Sequence, residues 1–370
     1  MIVFKNQYGS DAIETPPSGI TFMKVVSLTL FLSISLPLKA VSQQEFSGIT
    51  DVPGIKLGHH QLKERPTGCT VLLTENGAVG GVDIGGGAPG TVETDLLDPT
   101  NTVQEVHAIV ISGSSAFGLS ARDGVMKYLK ESGVGYPVGN NLIPIVPGAT
   151  LYDLGIEGYP DIHITADCGY QAALNATSSY SEEGNIGAGA GATVGKLKGM
   201  AYAMKGGIGT ASITLDNGLI VAALVAVNSV GDIIDPSVGQ IIAGVLTDDK
   251  KGFADARKLI RSTNVFDEPS FMGNTTIAII ATNAKLSKSQ ATKVAQMAQD
   301  GIARAIYPAH TTRDGDTVFS LATGTYRESF DVSKIGALAA DMLVESILRA
   351  LKAAKGLQGI PSIADLTPGF

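Results

Sequence analysis

The 370-residue chain is 44% hydrophobic and 17% charged, enough apolar material for a large buried core in one domain or two. Its net charge of −8 leaves no basic stripe to neutralise phosphates, which excludes a nucleic-acid surface. Forty-five glycines without a collagen-like period, and no tryptophan, point to tight turns and close backbone packing around a core of Val, Ile, Leu and Ala.

At the N-terminus, Met23-Lys24 precedes an apolar run of signal-peptide length (residues 25–38), and Ala40, Val41 and Ser42 offer a cleavage point. The run is shorter than the ~20 residues of a membrane-spanning helix. Residues 1–42 are therefore expected to be an extension plus signal peptide, with the product periplasmic or secreted and free of the membrane after its removal. Either Met23 is the true start or residues 1–22 are a disordered extension; a retained N-terminal anchor is the competing reading.

Short apolar runs then predict strands at Thr70–Thr74, Ala108–Ser112, Leu219–Val227 and Thr276–Ala281, each continuous enough to be buried on both faces. Helical spacing predicts helices over Ser114–Glu131 and Phe253–Ile260. Two more follow: one behind the Ser287-x-x-Gln290 capping box, and one from Val332 to about Lys355, with Gly356 as its stop. Mixed strands and helices with no Pro-, Ser- or charge-rich linker predict one layered α/β domain over residues 43–370. Cys69 and Cys168, about a hundred residues apart and in no metal-ligand spacing, could pair in an exported protein, but a core of this size does not need the staple and two buried free thiols are the preferred reading.

Glycine clusters at residues 80–90 and 184–195 read as loops, and the second superficially suggests phosphate binding. A P-loop ending at Gly195-Lys196 needs glycine at Ala190 and Ser or Thr at Leu197, and no strand precedes Gly184 as a dinucleotide site requires. Backbone N–H groups there are better read as partners of an oxyanion or a tightly packed layer, with Lys196 a cation at the end of the turn. Asn175-Ala-Thr177 is a glycosylation pattern, without consequence if the source is bacterial. His59, His60, His107, His163 and His310 have no metalloprotease spacing and read as structural; no metal and no cofactor are expected.

Gly273-Asn274-Thr275-Thr276 places a flexible pair before two hydroxyl residues that open a buried strand. If Thr275 attacks the Asn274 carbonyl, an N-to-O acyl shift and hydrolysis leave Thr275 as a new N-terminus. Its α-amine, with a pKa near ~8, would then be its own base. Downstream, Asp314-Gly315-Asp316-Thr317 sets two carboxylates around a glycine.

Motifs spread along the chain resemble the P1 family of peptidases (peptidase family S58): DmpA-type aminopeptidases, β-peptidyl aminopeptidases and nylon-oligomer hydrolases. They comprise residues 48–60, 66–70, 85–91, 112–119, 144–149 and 314–317, in the family's order. The resemblance implies a four-layer α/β/β/α sandwich of the DmpA/ornithine acetyltransferase type, made as a self-cleaving precursor. It implies an α chain of residues 43–274 and a β chain of residues 275–370, assembled as αβ units into a homo-oligomer. Carried over, Thr275 is the nucleophile, Lys196 stabilises negative charge or tunes the amine, and Asn228 is an oxyanion donor. Asp314 and Asp316 orient the amine and Lys196, and Tyr152 contacts substrate. The implied activity is an aminopeptidase for short peptides or amino-acid amides. Alternatives are an endo-amidase like the nylon-oligomer hydrolases, an ornithine-type acyltransferase, and a processed, non-catalytic binding protein.

Overall fold

The computed structural model describes residues 47–179, 182–262 and 273–366. The signal-peptide expectation for residues 1–42 lies outside these. In chain order the strands are β1 (Lys56–Gln61), β2 (Gly68–Ile84), β3 (Gly90–Val92), β4 (Glu105–Ser112), β5 (Tyr136–Val138), β6 (Asn141–Ile143), β7 (Gly148–Thr150) and β8 (Thr193–Val194). They continue as β9 (Met204–Lys205), β10 (Gly207–Thr214), β11 (Ile220–Asn228), β12 (Asp232–Asp235), β13 (Gln240–Ala243), β14 (Thr275–Thr282), β15 (Ile306–Tyr307) and β16 (Thr317–Ala322). The helices are α1 (Ala121–Glu131), α2 (Ala166–Leu174), α3 (Ala256–Arg261), α4 (Lys288–Ala305), α5 (Val332–Ala353) and α6 (Ile363–Leu366).

Both odd and even positions of the long strands are apolar because each set enters a different core. The main sheet runs β10-β11-β14-β16-β2-β4-β7-β3, with β1 added on β2. Strand β2 spans both halves. Its first residues pair with β1 and β4, its last with β16, and the β2–β4 register shifts between Leu73 and Ala78. The sheet thereby packs on itself: Leu72, Ile109, Ile111 and Leu151 from one half share a core with Leu224, Ile277, Ile279 and Phe319 from the other. The alternate residues face outward. Val221, Val225, Ile280 and Val318 pack under α4 and α5, and Val71, Leu73 and Val110 pack under α1 and α2. Helix, sheet, sheet, helix is the four-layer order expected.

Three local expectations need correction. The helix expected from Ser114 begins only at Ala121, after a 3-10 turn over Ser115–Ser120. Ser114 and Ser115 sit at left-handed φ of 65° and 53°, which no helix accepts. Gly80 and Gly81 are not loop but the interior of β2. A Cβ on Gly81 would stand 2.4 Å from the Thr292 nitrogen, so glycine there lets α4 lie directly on the strand. Cys69 and Cys168 are not free thiols: β2 and α2 bring their Cα atoms to 6.0 Å and they form a disulfide, closing 99 residues.

The unreduced, denatured protein is accordingly expected to show no titratable thiol. Cys69→Ser should lower unfolding stability by about 2–4 kcal/mol in a denaturant titration; two free thiols before reduction would contradict the pairing.

Candidate active site

Three strand ends meet at one edge of the sheet. β14 pairs antiparallel with β11, setting Thr275 opposite Asn228, and parallel with β16, setting Ile277 opposite Thr317. The end of β11, the start of β14 and the approach to β16 therefore converge, and Asn274 forms an isolated bridge with Asp314. Lys196 arrives from the glycine-rich turn after β8. Gly195, at φ +70°, lies so close to Gly244 that a Cβ would be 2.1 Å from its carbonyl carbon. Backbone bonds from Gly195 to Gly231 (3.0 Å) and from Lys196 to Val230 (2.8 Å) stitch the turn beside the end of β11. The five residues expected to form the site are all buried and all at this junction.

The Asn274 carbonyl oxygen accepts from the Gly315 N–H at 2.9 Å and from the Thr275 hydroxyl. The Gly315 N–H thus polarises the carbonyl that Thr275 would attack, and the Thr275 hydroxyl already touches that carbonyl. One residue upstream, the Gly273 carbonyl accepts from Asn228 Nδ2 at 3.4 Å and Lys196 Nζ at 3.5 Å. Gly273 is at φ +108° and lies close against the Tyr152 side chain, where a Cβ would be 2.1 Å from Cδ1. Asn228 Nδ2 also donates to the Tyr152 carbonyl (2.9 Å), and its Oδ1 accepts from the Thr193 N–H (3.0 Å) and Lys196 Nζ (2.9 Å). Lys196 Nζ further donates to the Asn228 carbonyl at 2.9 Å.

The two aspartates do different things. Asp316 accepts from Thr276 N (2.7 Å), His310 N (2.9 Å) and His310 Nδ1 (2.9 Å), so it pins the head of β14 to the 310–316 loop. This partnership raises the pKa of His310. Asp314 accepts from Thr311 N at 2.7 Å, and burial together with the charge of Asp316 pushes it up to about 6. Burial pulls Lys196 down to about 7, opposed by the charges of Asp314, Asp153 and Asp316. An amine and a carboxyl poised near neutrality in one buried cluster are suited to proton transfer.

Two cavities flank this cluster. One of about 100 Å³ is lined by Tyr152, Asp153, Thr193, Lys196 and Asn274; the other, about 560 Å³, by Pro89, Ser115, Thr150, Tyr152, Thr275 and Arg313. Tyr152, expected to contact substrate, borders both. Sequence reasoning passed over the Gly315 N–H, which has no side chain to signal it, and left His310 structural. The spacing Pro308-Ala-His310 to Asp316 was the only cue. Among the described residues no cluster of three or more His, Cys, Asp or Glu could hold a metal, and no helix is long and apolar enough to cross a membrane.

The site thus sets a threonine at the head of a buried strand, with a lysine, an amide and two carboxylates behind it, inside a layered sandwich. The chain belongs to peptidase family S58, whose profile matches residues 47–363. It is 42% identical over 353 residues to an uncharacterized aminopeptidase of Mycobacterium leprae, covering 87% of this chain and 95% of that one. It is 30% identical over 326 residues to the 6-aminohexanoate-oligomer endohydrolase of Kocuria sp., covering 82% and 85%. In fold it is similar to a Burkholderia sp. beta-aminopeptidase (TM-score 0.65, 24% identity, 87% of this chain and 92% of that one). It is also similar to the L-aminopeptidase D-Ala-esterase/amidase of Ochrobactrum anthropi, described as a variant of the Ntn-hydrolase fold (TM-score 0.62, 19% identity, 84% and 87%).

Because the Asp314 charge favours the Lys196 ammonium, its removal favours the neutral amine. Asp314→Asn should move the Lys196 midpoint below about 7 by roughly one unit. NMR of labelled lysine side chains, with Lys196→Met as the blank, reads it; an unchanged or raised midpoint would show that the two groups are not coupled.

Proposed function

We propose that the chain is an exported, self-processing amide hydrolase that cleaves itself between Asn274 and Thr275. It then uses Thr275 as an N-terminal nucleophile, most fittingly as an aminopeptidase on short peptides or amino-acid amides. The observation that carries this is the Asn274 carbonyl, held by the Gly315 N–H at 2.9 Å and in direct contact with the Thr275 hydroxyl.

In self-cleavage Thr275 Oγ1 attacks the Asn274 carbonyl carbon, closing a five-membered ring through its own Cβ, Cα and nitrogen. Gly315 N–H holds the oxygen as it gains charge. The C–N bond then breaks, and the hydroxyl proton ends on the Thr275 nitrogen, which leaves as a neutral amine. Water hydrolyses the resulting ester, leaving the Asn274 carboxylate and a free Thr275 amine. That amine is the base for later turnovers. In the continuous chain it is an amide and cannot serve. Asn228 Nδ2, which donates to Gly273 before cleavage, becomes the donor for a substrate carbonyl once the segment upstream of Thr275 departs. The Lys196 ammonium disfavours a second positive charge and keeps the new amine neutral.

The aminopeptidase assignment draws on the Mycobacterium leprae relative; export draws on residues 23–42, and assembly of αβ units into a homo-oligomer on the family resemblance. A second reading, an endo-amidase, is favoured by the endohydrolase relative of Kocuria sp..

Thr275→Ala should yield one full-length chain without turnover, whereas the wild type gives two chains on a denaturing gel. A variant that still splits and hydrolyses substrate would sink the mechanism. Aminoacyl amides with a free N-terminus should be hydrolysed roughly tenfold or more faster than their N-acylated counterparts; the reverse order would replace the aminopeptidase with the endo-amidase.

A further inference from the structure

Lys205 is fully buried, with no place in the chemistry above. It lies in β9, directly opposite Thr193 of β8. Its ammonium donates to three backbone carbonyls, Gly189 (2.8 Å), Ala192 (2.9 Å) and Gly206 (2.8 Å), which uses all three of its donors. Two of these acceptors belong to the glycine-rich turn that leads to Lys196. The Ala192 carbonyl is held a second time, by Gly206 N–H at 2.8 Å. Its peptide plane continues into the Thr193 N–H, which donates to Asn228 Oδ1 at 3.0 Å. A side-chain amide has two orientations, and the two donors on this oxygen, the Thr193 N–H and Lys196 Nζ (2.9 Å), together select the one with Nδ2 toward Gly273.

We propose that Lys205 is a positioning residue: its ammonium, caged by three carbonyls, fixes the Ala192–Thr193 peptide plane so that Thr193 N–H turns the Asn228 amide nitrogen toward the scissile carbonyl of a substrate. This rests on the reading of Asn228 as that carbonyl's donor. Burial pulls the Lys205 pKa to about 7, a cost that a merely space-filling side chain would not incur. A methionine would fill the same volume without donors, and would leave the Ala192–Thr193 peptide plane held by the Gly206 N–H alone.

The test is a double-mutant cycle on the full chain, with folding followed by circular dichroism and turnover measured on an aminoacyl amide. Lys205→Met should lower kcat by roughly 10- to 100-fold with KM within about threefold. Asn228→Ala, costly in the wild type, should add less than about threefold in the Lys205→Met background, because the amide is already misdirected. If Asn228→Ala costs nothing in the wild type, the donor reading fails. If it costs its full amount in both backgrounds, or Lys205→Met keeps its kcat, the positioning role fails on its own. Lys205→Ala is the second variant. Ammonium chloride, but not tetramethylammonium chloride, should refill the cage and restore roughly tenfold in kcat; equal activity in the two salts overturns the proposal. Loss of folding in both variants would also overturn it, since the role assigned is to orient one peptide plane and not to hold the fold.

Discussion

The hydrogen bond from the Gly315 N–H to the Asn274 carbonyl depends on β14 lying between β11 and β16 in one register only. Shifting β14 by one residue would send each of its side chains to the other core, so burial on both faces enforces that register. Ile277 and Ile279 fill the core between the sheet halves while Ala278 and Ile280 face α4 and α5. The position of Thr275 opposite Asn228, and of Asn274 beside Asp314, follows from that packing far from the reacting atoms. Asp316 secures the same junction from the side by binding Thr276 N and the 310–316 loop.

Electrostatics then separate the groups brought together. Asp316 has its oxygens occupied by backbone and His310 donors and keeps the geometry. Asp314, less fully occupied and beside that charge, is pushed toward neutrality, as is Lys196 by burial. The pair of carboxylates that looks symmetrical in Asp314-Gly315-Asp316 is therefore asymmetric in place. Lys205 extends this logic one layer back, with a second buried ammonium spent on backbone carbonyls of the turn that carries Lys196.

Much of this was legible in the sequence because it is written in side chains. Apolar runs located β4, β11 and β14, the Ser287 capping box located α4, and Thr275, Lys196, Asn228, Asp314 and Asp316 stood in recognisable motifs. What stayed hidden is written in the backbone or in long-range proximity. Gly315 contributes an N–H common to almost every residue. Gly80 and Gly81 read as loop because glycine usually breaks strands, yet the close approach of α4 reverses that inference. The Cys69–Cys168 pair depends on how α2 lies on β2, which no spacing 99 residues apart encodes. The turn at Ser114 and Ser115 overrode a helical pattern that began seven residues too early.

In the proposed maturation the Thr275 hydroxyl opens the Asn274–Thr275 bond and water then hydrolyses the ester. The most direct measurement is intact and fragment mass spectrometry of precursor allowed to mature in heavy-oxygen water. The account predicts two chains, the second beginning with a free Thr275 amine, and one heavy oxygen in the α-carboxylate of Asn274. A C-terminal succinimide at Asn274 would instead mean attack by its own side chain, and an uncleaved chain that retains activity would contradict the account altogether.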